Sequence, residues 1–348
     1  MASLSQLKFA MATSIFLSAF IFGLLVFAIV YFLQLDVFTG LLVALGGSAL
    51  FILFQYAVGP AIVAATTHLH YLQPGENPWL ESTVKGLADK SSIPMPKLAT
   101  VPNNTPNAFT FGRTTSSATL AVHEGLLQQL NENEIKGVIA HELGHIKHKD
   151  YIVMTVLSAL PLIAYIIAQV ALRAGAFSSG GRRNSKDNSG AVLIVIGVIS
   201  FAIYIITFLI VMRLSRLREH YSDAYSAYLT GKPRELESAL AKITYGLSIS
   251  PKPPEGARAF YIEDPALAKN EIQHIMDNKG QYDLDQNGVL DERELQLAME
   301  KESKSTWVQM NSLFATHPPT FKRILLLREI EQEMDTGNYS NDKMYSHV

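Results

Sequence analysis

Four stretches without a charged residue interrupt the chain: residues 9–33, 37–67, 151–172 and 191–212, which are 25, 31, 22 and 22 residues long. About 20 apolar residues in a helix cross the hydrocarbon core of a bilayer. Each stretch therefore predicts a spanning helix. Only Gln34, Leu35 and Asp36 separate the first two, so these predict a helical hairpin. Residues 173–190 separate the third from the fourth and include SSGGRRNSKDNSG, a composition expected of a flexible polar linker. The first run is too long for the apolar core of a cleaved leader, and no small-residue cleavage site follows it before the second.

The polar residues then fall into two blocks, 68–150 and 213–348. With four spans, both lie on the side of the N-terminus. Lys8, Lys147, Lys149, Arg213, Arg216 and Arg218 flank the spans on that side, against Arg173, Arg182, Arg183 and Lys186 in the opposite loop. The excess of positive residues near the spans points the polar blocks to the cytoplasm. The expected organisation is a hairpin at 1–67, a first catalytic segment at 68–150, spans at 151–212 and a second catalytic segment at 213–334. The tail at 335–348 is polar and without periodicity, and is expected to be disordered.

Composition agrees. Charged residues make up 17% of 348 residues and the net charge is −2, whereas soluble domains carry about 25% charged residues. That excludes a disordered or nucleic-acid-binding chain. The absence of cysteine excludes disulfides, thiol nucleophiles and Cys-ligated metal.

Residues 131–149 read NENEIKGVIAHELGHIKHK. Asn131 and Glu134 are placed to form a capping box, and Ile135, Val138, Ile139, Leu143 and Ile146 recur at helical spacing. His141 and His145, at i and i+4, share one helix face, so both imidazoles can reach one ion. Glu142, offset around the helix, can hold a water bound to that ion and take its proton. Random placement would give about 0.016 matches to this motif in such a chain. A third ligand is expected downstream, where residues 213–229 read RLSRLREHYSDAYSAYL. Glu219 and Asp223 share a face: Glu219 can ligate zinc while Asp223 orients a ligand histidine. His220 competes for the ligand role but points about 100° away on the helix.

HELGHIKHKD, followed after two hydrophobic segments by RLREHYSDAYSA, resembles the HtpX-type membrane zinc metalloproteases, which are related to the CAAX prenyl proteases and the Oma-type proteases. PNAFTFGR at 106–113, AVHEGLL at 121–127 and FATHPP at 314–319, leading into Phe321-Lys322-Arg323-Ile324, resemble further motifs of that family. The resemblance implies a mainly α integral membrane protein, with four transmembrane helices and a small α+β gluzincin-type catalytic domain. It implies one catalytic Zn²⁺ on His141, His145 and Glu219, with Glu142 as general base. His317 is implied as a donor to the oxyanion, and Asn107, on an edge strand beside the cleft, as a contact to the substrate backbone. Arg218 can pair with a carboxylate of the site or bind the substrate carbonyl. The implied setting is the bacterial-type inner membrane with the catalytic domain in the cytoplasm, and the implied substrates are misfolded or unassembled membrane proteins.

Residues 249–305 depart from that pattern. Within an expected helix–loop–helix insertion at 265–301, Asp283, Asp285, Asn287, Val289, Asp291 and Glu294 fill the ligand places of an EF-hand loop, with Gly288 at the turn. The expectation is one bound Ca²⁺. Two other classes of function compete with the protease. A non-enzymatic scaffold has no need of Glu142. A metal transporter needs ionisable residues at membrane depth, and the four charge-free runs have none.

Overall fold

The computed structural model describes residues 4–34, 36–179, 189–248, 261–263, 265–286, 294, 297–298, 301, 312–337, 339 and 343–348. In chain order the elements are α1 (Leu4–Phe32), α2 (Val37–Thr67), β1 (His70–Tyr71), α3 (Pro78–Ser91), β2 (Lys97–Val101), β3 (Ala108–Phe111), β4 (Thr119–His123) and α4 (Glu124–Gln129). There follow α5 (Glu132–His148), α6 (Asp150–Ser179), α7 (Ser189–Thr230), α8 (Pro233–Ser248), α9 (Pro265–Asp277) and α10 (Thr320–Asp335). The chain divides into two compact units, one of them discontinuous in sequence.

One unit comprises Lys8–Gly59 and Ile152–Leu214 and carries the apolar parts of α1, α2, α6 and α7. These four helices are long and apolar enough to cross a membrane. The turn between α1 and α2 is stopped by Asp36, whose Oδ2 accepts from the Thr39 N–H at 2.8 Å and so satisfies an otherwise orphaned donor of α2. Phe22, Leu25, Ala164 and Ile203 form the centre of this unit, with Ile21, Val26, Leu160, Ile163 and Tyr204 around them. A Cβ at Gly197 would lie 2.6 Å from Leu172 Cγ. Glycine there permits the close backbone approach on which helix pairs in lipid depend. The outer faces are apolar: Phe16, Phe27, Phe38 and Val43 are between 64% and 71% exposed, which water would penalise and hydrocarbon does not.

α6 continues to Ser179 and α7 starts at Ser189. Helix thus takes up residues 173–179 and 189–190 of the stretch 173–190 where the sequence predicts a linker. Residues 180–188 lie outside the described set. α7 is a single 42-residue helix. Its apolar run ends at Met212, and the polar residues 213–230 continue the same helix.

The other unit comprises Met1–Leu7, Pro60–Tyr151 and Ser215–Val348. Its four-stranded sheet has the order β1-β2-β4-β3. β1 is antiparallel to β2, β2 parallel to β4, and β3 antiparallel to β4, with Phe109 opposite Ala121. β3 is therefore an edge. Val101, Phe109, Phe111 and Ala121 pack with Val63 beneath the sheet. The chain end differs from the expected disorder. Tyr345 is 9% exposed, and its hydroxyl lies 2.9 Å from His148 Nε2. Its ring packs on Tyr221 at 4.8 Å. Aromatic burial outweighs the polar composition of the residues around it.

Candidate active site

α5 begins as the sequence predicts. The Asn131 side chain accepts from the N–H groups of Asn133 and Glu134, and Glu134 accepts from the Asn131 N–H at 2.8 Å. The Glu134 carboxylate also binds Ser238 Oγ and Lys242 Nζ, both at 2.6 Å, which ties the start of α5 to α8. At its far end Lys149 adopts φ 59°, ψ 38°. This left-handed conformation costs a non-glycine residue about 1 kcal/mol, and it ends the helix so that Asp150 folds back beside His145.

The polar end of α7 lies against the middle of α5. A Cβ on Gly144 would stand 3.1 Å from Ser222 Oγ and 3.2 Å from Ser222 Cα, so the glycine of the HELGH motif sets how close the two helices come. Ser226 Oγ donates to the Gly137 carbonyl at 2.7 Å. This approach places Glu219 beside the two histidines.

His141 Nε2 and His145 Nε2 are 3.1 Å apart. Glu219 Oε2 is 3.4 Å from His141 Nε2, and Oε1 is 3.5 Å from His145 Nε2. Donors about 2.0 Å from a tetrahedral zinc stand about 3.3 Å from one another, so these separations fit one small divalent ion. Glu219 Oε2 is buried, with His141 Nε2 at 3.4 Å and Arg323 Nη2 at 3.6 Å as its cationic neighbours. Two nitrogens and one carboxylate leave a fourth position open, the donor set of a catalytic rather than a structural zinc. His220 lies outside this cluster.

Charged residues surround the ligands. His141 Nδ1 is 2.9 Å from Asp223 Oδ1. Asp223 in turn receives Arg323 Nε at 2.8 Å and Nη2 at 2.7 Å. Arg323 is fully buried, and its Nη1 also binds the Ile262 carbonyl at 2.6 Å and Glu263 Oε1 at 2.8 Å. Burial opposes ionisation of Asp223, but the Arg323 guanidinium holds its carboxyl well below the usual range. Burial pushes the Glu263 carboxyl up to about 8, against the pull of Arg323. Burial alone would lower the His141 pKa, but hydrogen bonds to Asp223 and Glu219 raise it to about 9. His145 Nδ1 contacts Asp150 Oδ2 at 2.6 Å and Ser222 Oγ at 3.1 Å.

Glu142 is 3% exposed, and burial raises its carboxyl to about 7 despite the opposing effect of His141. It is hydrogen-bonded to Thr110 of the edge strand. Glu219 has the opposite fate. Burial disfavours its charge, but His317, His145 and His141 together hold its carboxyl well below the ordinary value. His317 Nε2 stands 3.7 Å from Glu219 Oε1. Arg216 Nη1 binds the Leu313 and Ala315 carbonyls at 3.1 and 2.9 Å, which fixes the loop that carries His317.

Two expected contacts with substrate are engaged internally. Asn107 is fully buried, and its Oδ1 accepts from the Ile262 N–H at 2.9 Å. Arg218, for which the sequence offers either a carboxylate of the site or a substrate carbonyl, is 2% exposed, and its Nη2 lies 2.5 Å from Asp150 Oδ1. Sequence reasoning assigned no role to Asp150, Arg323, Glu263 or Ser222, and counted Arg216 only among the positive residues that flank the spans. The only local signals were an Asp five residues after His145 and an Arg six after His317. Away from this centre, ligand atoms of Asp283, Asp285 and Glu294 lie within 4.8 Å of one another. Asn287, Val289 and Asp291 lie outside the described residues.

Residues 74–331 match the model of peptidase family M48. A protease HtpX homolog of Thermococcus sibiricus is 35% identical over 91% of this chain and 95% of its own length. One from Aeropyrum pernix is 32% identical over 84% and 89%. Among solved structures, S. mikatae Ste24p aligns with a TM-score of 0.47 at 17% identity, over 88% of this chain and 62% of that one. With the His-Glu-x-x-His helix, the downstream Glu219 and four helices able to span a bilayer, the chain belongs to peptidase family M48 and is an integral membrane metalloprotease.

Proposed function

We propose that the chain hydrolyses peptide bonds within membrane proteins that have failed to fold or assemble, with one zinc ion held by His141, His145 and Glu219. The convergence of those three donors beside a buried Glu142 carries the reading. Zinc bound there supplies Lewis acidity, which acidifies a water and polarises the scissile carbonyl. The chain's own residues do the rest. The Glu142 carboxylate takes the water's proton as the oxygen attacks, and a carboxyl near pH 7 can return that proton to the leaving amine. The His317 Nε2–H donates to the oxygen on which negative charge develops. β3, at the edge of the sheet, can pair with an extended substrate strand, with Asn107 immediately before it.

Location of the site on the helix that also carries the fourth apolar run supports substrates at the membrane. The positive residues that flank the spans favour a cytoplasmic catalytic unit in a bacterial-type inner membrane. The substitution Glu142→Gln tests the mechanism. Casein cleavage should disappear while zinc content stays at wild type, because the glutamate is a base and not a ligand. Normal cleavage by that variant would falsify the reading.

A second proposal concerns calcium. The acidic group of Asp283, Asp285 and Glu294, within an EF-hand spacing, favours a Ca²⁺ ion there. Glu294 Oε1 accepts from the Leu284 and Asp285 N–H groups at 2.6 and 3.3 Å, which holds this carboxylate beside the two aspartates. Titration calorimetry should show Ca²⁺ binding to the wild type and none to Glu294→Ala. No heat at about millimolar Ca²⁺ would leave an acidic surface segment.

A further inference from the structure

The surroundings of the two ligand histidines repeat one pattern. His141 Nδ1 faces Asp223, and Asp223 faces Arg323 through two contacts of 2.7 and 2.8 Å. His145 Nδ1 faces Asp150 Oδ2 at 2.6 Å, and Asp150 Oδ1 faces Arg218 Nη2 at 2.5 Å. The carboxylates come from different elements: Asp223 from the polar end of α7, Asp150 from the first turn of α6. Both are buried, Asp150 at 5% and Asp223 at 0%. In each case the two Nε2 atoms are left facing one another and Glu219.

We propose that Asp150 and Arg218 are a positioning pair for His145, the counterpart of Asp223 and Arg323 at His141. The proposal rests on the reading of His141, His145 and Glu219 as the metal ligands. An ionised carboxylate only accepts hydrogen bonds. Asp150 therefore keeps the proton of His145 on Nδ1 and turns the Nε2 lone pair towards Glu219. Ser222 Oγ, 3.1 Å from the same Nδ1, cannot do this alone, because a hydroxyl can either donate or accept. Arg218 Nη2, against Asp150 Oδ1 at 2.5 Å, fixes the plane of the carboxylate that faces His145. The αL turn at Lys149, with φ 59°, is the backbone device that brings Asp150 back to His145.

The test is zinc affinity, measured on the full-length protein in detergent. Metal is removed with a chelator and returned in competition with a chromogenic zinc indicator. Asp150→Asn is nearly isosteric, but its amide can donate to Nδ1 and so favour the wrong tautomer. It should weaken zinc about 10–100-fold, as loss of a partner to a ligand histidine does. Arg218→Met should weaken it at least tenfold, and Arg218→Lys should recover most of that loss. Melting of the metal-free variants separates this role from a purely structural one. Asp150→Asn with wild-type zinc affinity would overturn the proposal, whether or not its melting temperature falls. Wild-type affinity in Arg218→Met would overturn it equally. Glu219→Ala is the control: if it too binds zinc as the wild type does, the metal site itself has been misassigned and both readings fail. If it alone loses zinc, only the positioning pair fails.

Discussion

Two buried glutamates, Glu142 and Glu219, stand beside the same histidines and are driven in opposite directions. Glu142 lies on the edge-strand side, where burial dominates and its carboxyl rises to about 7. Glu219 is held ionised by the surrounding imidazoles. Environments that push a pair of carboxyls apart favour different roles for them, and in the proposed mechanism the one near neutrality exchanges protons while the one held as an anion binds the cation. Glu219→Ala should therefore lose zinc along with activity, seen as metal content after dialysis against a weak chelator. His317→Ala should keep zinc and lower kcat by roughly 10²–10³-fold with little change in KM, as removal of an oxyanion donor does. A change in KM alone, in a continuous assay with a quenched fluorescent peptide, would assign His317 to substrate binding.

At the scale of elements, α5 was legible because its signals are local. The capping box, the apolar spacing and the His-Glu-x-x-His motif all lie within residues 131–149. The approach of α7 was not legible. It depends on Gly144 meeting Ser222 across 78 positions, and a glycine in a helix looks like a defect until its neighbour is known. The same holds for Arg323, 100 residues from the Asp223 it binds, and for Tyr345, whose burial against His148 nothing in a polar tail announces. Gly144→Val should force the two helices apart. Overpacking of this kind costs about 1–3 kcal/mol. The expected outcome is a lower melting temperature together with weaker zinc, since Glu219 moves away with α7. A variant that melts earlier yet retains wild-type zinc affinity would show that Gly144 does not set the ligand geometry.

For the whole molecule, acid stability turns on histidines outside the ligand cluster. Burial lowers His123 from 6.5 to about 4, despite a hydrogen bond to the Thr105 carbonyl at 2.9 Å. Burial lowers His148 to about 3, with Arg218 and Lys147 adding to the effect. Both residues are neutral in the fold at pH 7, and both become easier to protonate once the chain opens. A depressed folded pKa stabilises fully above the unfolded value of about 6.5, and that contribution is lost as pH falls towards the folded values. The melting temperature in detergent should therefore drop steadily from pH 7 to pH 4, in the direction opposite to that of a histidine stabilised by its charge. Release of zinc also contributes in this range, so the decisive comparison is a difference. His123→Gln keeps a donor for the Thr105 carbonyl but does not titrate. Its curve of melting temperature against pH should be flatter than that of the wild type below about pH 6.5. Parallel curves for the two proteins would show that His123 is not held neutral in the fold, and that acid acts through other groups.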